Sequence, residues 1–232
     1  MNISTKLKPM LFAILFITSS TQATIPIDDT HWPSEKDKPA LQPFEAPNVS
    51  KHTIFINTFI HDDVKEPQSQ IFEKFFLPLI KEIEGFTGRR VSIQFIRNLQ
   101  PYTNFVYENE DHQATANKWK VLALKYRNEK NLPYNKTTKF LLVTKNQLNN
   151  QAAGIAGAGQ QFGIASLIRE LYVGHEIGHM LDASHENGEL LYRSGWWCDS
   201  YMMPAPTYLT SACHVYTNAN RQRISAFLSD AP

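Results

Sequence analysis

The chain has 232 residues, 42% of them hydrophobic, and its 23 basic and 22 acidic side chains leave a net charge of +1. This apolar content excludes a disordered chain, and the length suffices for one sizeable core. A near-neutral balance without a basic stripe lacks the electrostatic footprint of nucleic-acid binding, so no nucleic-acid partner is expected.

The first segment reads as a targeting signal. Lys6 and Lys8 precede the apolar run 10–17, and Ser19, Ser20, Thr21, Gln22 and Ala23 make a small, polar exit. The run is shorter than the roughly 20 residues a membrane-spanning helix needs. Residues 1–23 are therefore expected to be a signal peptide cleaved after Ala23, with export to the periplasm or the exterior. No integral membrane segment is expected after it. Residues 24–50 contain Pro26, Pro33, Pro39, Pro43 and Pro47, which forbid a regular element. They are expected to form an arm or a short pro-segment ahead of one folded domain over 51–232.

In that domain, the β-branched and aromatic stretch 52–60 predicts a strand. Over 67–85, Ile71, Phe72, Phe75, Phe76, Leu79, Ile80 and Ile83 recur on one helical face, and Gly85 and Gly88 mark its end. Residues 91–96 alternate as a second strand. Residues 111–130 are polar with sparse apolar spacing, as in a helix that covers a surface. A short buried strand is expected at 140–144. The small, Gly-rich stretch 154–159 leads to another strand at 162–165 and a helix over about 167–181. A last helix is expected at 218–228. This order predicts an α/β fold with a mixed, twisted sheet and helices packed on it. His31, His52, His61 and His112 read as surface histidines.

Cys198 and Cys213 are the only cysteines. In an exported chain they are expected to pair, closing a loop of about 15 residues and contributing roughly 3 kcal/mol. Two free buried thiols are the alternative.

The central signal is His175-Glu176-Ile177-Gly178-His179-Met180-Leu181-Asp182-Ala183-Ser184-His185. On a helix, residues i and i+4 lie about 40° and 6 Å apart, so His175 and His179 can face one ion. Glu176 is offset from both imidazoles, which suits a general base better than a ligand. Val173, Ile177 and Leu181 fall on the opposite side and can anchor the helix. His185 lies six residues beyond His179. On a continuing helix it would be rotated about 120° away, so the chain must turn near Asp182. Three histidines plus an open position match a catalytic zinc site, and one Zn2+ per chain is expected.

The pattern resembles the metzincin signature H-E-x-x-H-x-x-G-x-x-H, with Asp182 where the family has Gly. Tyr201-Met202-Met203-Pro204, beginning 16 residues past His185, resembles the family's methionine turn. Met202 is the closer match, because the adamalysin and matrixin Met stands two residues before a Pro. The resemblance implies that Met202 is an apolar floor under the imidazoles. Residues 154–165 and the helix after them resemble the adamalysin edge strand and active-site helix. This implies that Gly157, Ala158 and Gly159 contact an extended peptide through main-chain hydrogen bonds. It further implies a metzincin-like catalytic domain with a small subdomain after the third His, acting as a secreted zinc endopeptidase on a polypeptide substrate. Residues 204–209 are then expected to wall the pocket beyond the scissile bond, where Tyr208 either lines it or simply packs.

Gluzincins take a distant Glu as third ligand, but no Glu follows Glu189. Asp199 is the nearest alternative carboxylate. Two other functions stay open at this point: a toxin-like subunit that uses the fold to bind a partner, and a zinc hydrolase acting on a non-protein amide. Nothing in the sequence sets an oligomeric state.

Overall fold

The structure, a computed structural model, describes residues 51–205 and 209–231. The expected signal peptide and arm, and Tyr208, lie outside the described residues.

The main sheet has five strands: β1 (Ile54–Ile60), β2 (Val91–Ile96), β3 (Thr138–Thr144), β4 (Gly154–Ala156) and β5 (Phe162–Ser166). Their spatial order is β2-β1-β3-β5-β4. All neighbours are parallel except β4, which runs antiparallel to β5 at the edge. The architecture is thus the expected mixed α/β fold with a mostly parallel sheet.

Between β1 and β2 the chain is helical in three consecutive pieces: α1 (Gln68–Ile71), a π-helical turn (Phe72–Phe76) and α2 (Leu77–Thr87). Gly85 lies within α2, and Gly88 ends it with φ +64 and an N–H bond to the Glu84 carbonyl. Only a residue without Cβ takes that left-handed conformation freely. The remaining helices are α3 (His112–Glu129), α4 (Glu170–Met180) and α5 (Asn218–Phe227).

Strand periodicity divides the core in two. Ile54, Ile56, Ile60, Leu141, Val143 and Ala165 point to the face covered by the Ile71–Ile83 apolar stripe, α4 and α5. Phe59, Phe140, Leu142, Phe162 and Ile164 point to the other, against Ala116, Trp119, Ala123 and Tyr126 of α3. Burial on both faces explains why β3 is apolar without alternation. Thus α3 packs on this sheet face with Ala116, Trp119, Ala123 and Tyr126, beside Tyr102 and Leu148 from the loops. No helix among the described residues is long and apolar enough to cross a membrane.

After the third histidine comes a small second sheet, in the order β6 (Leu190–Arg193), β7 (Trp196–Asp199) and β8 (Ser211–Ala212). These strands were not expected from periodicity. Ser194 and Gly195, both at positive φ, join β6 to β7 in a two-residue hairpin. The Ser-Gly pair is the local signal that marks this turn. A disulfide joins Cys198 on β7 to Cys213 beyond β8, as the oxidised reading expects. His61 departs from its surface assignment: its side chain is 12% exposed and bonds Asp63 at 2.8 Å and the Phe105 carbonyl at 3.0 Å.

Candidate metal centre

Helix α4 is buried along nearly its whole length, including His175, Glu176 and His179. Each end carries the charge its dipole favours. Glu170, in the first turn, pairs with Lys74 at 3.6 Å and with His214 at 3.2 Å. At the far end the fully buried Lys139 of β3 donates to the Met180 carbonyl at 2.5 Å and to the Gln160 carbonyl at 3.1 Å. Burial first, then the nearby Lys136, lowers the Lys139 pKa to about 7, while Asp182 acts in the opposite direction.

The turn beyond α4 is a complete Schellman motif. Asp182 N–H bonds the His179 carbonyl at 2.9 Å, and Ala183 N–H bonds the Gly178 carbonyl at 2.8 Å. Asp182 occupies the left-handed position at φ +71. Arg223 of α5 clamps it there, with Nε donating to its backbone oxygen at 2.8 Å and Nη2 to its carboxylate at 3.0 Å.

This turn brings His185 back to the two helical histidines. The Nε2 atoms of His175 and His179 are 3.0 Å apart, those of His179 and His185 3.0 Å, and those of His185 and His175 2.7 Å. Among the described residues these three form the group able to hold a metal ion, and Asp199 does not belong to it. His175 Nδ1 lies 2.7 Å from the Tyr201 carbonyl oxygen. A carbonyl only accepts, so Nδ1 carries the proton and Nε2 keeps its lone pair for a metal. Burial, followed by the charges of His179 and His185, holds the His175 pKa well below its ordinary value. A neutral imidazole is the ligating form. Three imidazole nitrogens facing one another, one with its tautomer set, fit a divalent transition metal.

Glu176 points from α4 towards the edge strand. A Cβ on Gly154, the first residue of β4, would lie 2.5 Å from its Oε1 and 2.7 Å from the Ile164 carbonyl oxygen. The absence of a side chain there makes room for the carboxylate. Met202 is fully buried under α4, where a Cβ on Gly178 would lie 2.5 Å from its Sδ. Gly157, Ala158 and Gly159 lie in the turn after β4. Gly157 is buried, Ala158 is exposed, and the Gly159 N–H donates to the His179 carbonyl at 2.8 Å. Gly159 is thus tied to the metal helix.

Sequence reasoning missed Gly154, Lys139, the Tyr201 carbonyl and the clamp from α5. Helical and strand periods carry no signal for a backbone acceptor or a contact 41 residues away.

No protein-family model and no curated protein matches the chain. Among solved structures it is similar to metalloproteinase-II from Bacteroides fragilis, with TM-score 0.53 and 12% identity, covering 78% of this chain and 55% of that one. The chain thus spans about half the length of that protein. It also matches a zinc-dependent peptidase from Methanocorpusculum labreanum, with TM-score 0.40 and 17% identity, covering 73% of this chain and 99% of that one. At such identity the first likeness establishes the fold: the three histidines stand on an α/β framework shared with a metalloproteinase.

Proposed function

We propose that this protein is a secreted, zinc-dependent endopeptidase of the metzincin type. The observation that carries the reading is the convergence of His175, His179 and His185 at 2.7–3.0 Å around one point, with a buried glutamate on the same helix. Zinc there would act as a Lewis acid on a peptide carbonyl and lower the pKa of the attacking water. The three neutral imidazoles leave the ion's charge uncancelled, which favours that acidification. Glu176, on the β4 side of α4, takes the water's proton and passes it to the departing amine. The outer edge of β4 offers an extended polypeptide a strand to pair with, alongside the turn at Gly157, Ala158 and Gly159. Met202 packs beneath the helix that carries two of the ligands. Residues 1–23 act as the export signal and 24–50 as an arm or pro-segment, and an exported setting suits the disulfide.

Two measurements test the reading. Elemental analysis of dialysed protein is expected to find about one zinc per chain, as three histidine ligands and an open position require. A peptide-library digest is expected to show cleavage that a chelator abolishes. Glu176→Ala should retain the zinc and lose the cleavage. Dialysed protein free of transition metal, or a fully active Glu176→Ala, would overturn it.

A further inference from the structure

His185 has no helix of its own to fix it. Its segment leaves α4 at Asp182, passes through the extended Ser184 and enters a short 3-10 turn, His185–Asn187. Helix α5 grips this segment at three levels. Thr217, its N-cap, donates from Oγ1 to the Asn187 carbonyl at 2.7 Å. Asn220 accepts from Ser184 N–H at 2.9 Å through Oδ1 and donates from Nδ2 to the Ser184 carbonyl at 3.0 Å. Arg223 clamps Asp182. Residues 217, 220 and 223 are spaced by three, so they line one side of the helix.

The middle contact differs from the other two. Asn220 is fully buried, and its amide satisfies both backbone groups of the residue immediately before His185. Ser184 N–H can only donate and its carbonyl can only accept, so the amide has one orientation. Both bonds together restrain rotation about the Ser184 backbone, the motion that would swing His185 away from His175 and His179.

We infer that Asn220 is a positioning residue for the third metal ligand, holding His185 on the metal through the Ser184 backbone. This rests on the zinc reading above. Groups that orient a ligand typically change metal affinity by about 10- to 100-fold.

The experiment uses the full chain as purified. Zinc affinity is measured by competition with a chromogenic chelator, Co2+-loaded protein gives a visible spectrum, and melting is followed in chelator. Asn220→Asp keeps the volume and the acceptor, and a carboxylate suits the first turn of a helix. It replaces the donor with an oxygen facing the Ser184 carbonyl. We expect it to weaken zinc binding by about 10- to 100-fold and to move the Co2+ spectrum towards that of His185→Ala. The metal-free melting temperature should fall as well, because the substitution buries a carboxylate against a carbonyl oxygen, so the zinc loss is judged against a variant destabilised elsewhere in the same helix. Ile224→Ala, a core truncation in α5 that removes none of the clamp's hydrogen bonds, should lower the melting temperature without that loss of zinc. Should Asn220→Asp not fold, Arg223→Ala, at the exposed level, is expected to weaken zinc in the same direction by less. Wild-type affinity in both clamp variants, or equal zinc loss in Ile224→Ala, overturns the inference while the zinc reading stands. A wild-type chain that binds no zinc overturns both.

Discussion

At the residue scale, the site depends on two backbone decisions. One is the Tyr201 carbonyl, which sets the His175 tautomer. The other is the left-handed turn at Asp182, which a β-carbon makes less favourable than glycine does. Asp182→Gly would relieve that cost, but glycine loses more chain entropy on folding and the substitution removes the carboxylate from Arg223. That pair is solvent-exposed, so its loss costs little. The Arg223 bond to the backbone oxygen survives the substitution. These terms nearly cancel, so Asp182→Gly is expected to change unfolding free energy by less than about 1 kcal/mol and to keep zinc affinity. Denaturant melts and a metal titration check both. A large loss of zinc would show that the carboxylate itself holds the turn.

At the element scale, α4 is unusual in burying nearly every side chain, and its glycines record what is pressed against it. A Cβ on Gly174 would press on the Tyr201 ring, closest to Cδ1 and Cε1 and 2.8 Å from Cζ. Helix propensity alone says that Gly174→Ala stabilises, by about 1 kcal/mol. Packing says the opposite, because the ring is fully buried beside Tyr216 and overpacking a core typically costs about 1–3 kcal/mol. The contact should win. Gly174→Ala is expected to lower the melting temperature and to weaken zinc binding, since Tyr201 must shift and its carbonyl holds His175. A more stable Gly174→Ala protein would refute this account of how the 200–203 segment sits on the helix.

At the scale of the whole molecule, Cys198–Cys213 constrains the smaller of the two sheets. Replacing both cysteines with serine is expected to cost roughly 3 kcal/mol, the entropy of a 15-residue loop, read from denaturant melts. Alkylation of native protein without reductant should label neither cysteine. Lys139 links the β3 strand to the end of α4 and gives folding a pH dependence. Its amine titrates near 7 in the folded chain against an ordinary value of 10.5. Between those values the unfolded chain binds more protons, so this group makes stability rise with pH, and the penalty is complete below 7. The unfolding free energy of wild type relative to Lys139→Met, both in chelator, should therefore increase from pH 7 to pH 10. A difference independent of pH would mean that Lys139 stays charged in the folded state.

The sequence alone determined what is periodic or local. Repeats of 3.6 and 2 residues place the strands β1, β2, β3 and β5 and the helices from Gln68 to Phe227 near their observed spans. The four-residue spacing of His175 and His179 puts both on one side of a helix, and the six-residue step to His185 demands a turn at Asp182. The Ser194-Gly195 pair carries a local turn signal that the sequence reading passed over, and a two-residue strand such as Ser211–Ala212 is too short to have a period. Only the tertiary structure decided how the turn is held and what the ligands rest on. Asn220 reaches Ser184 across 36 residues and Lys139 reaches Met180 across 41. Their partners are backbone oxygens, which every residue carries. A side chain that bonds a backbone group leaves no complementary residue type in the sequence, so these contacts become visible only when folding brings distant segments together.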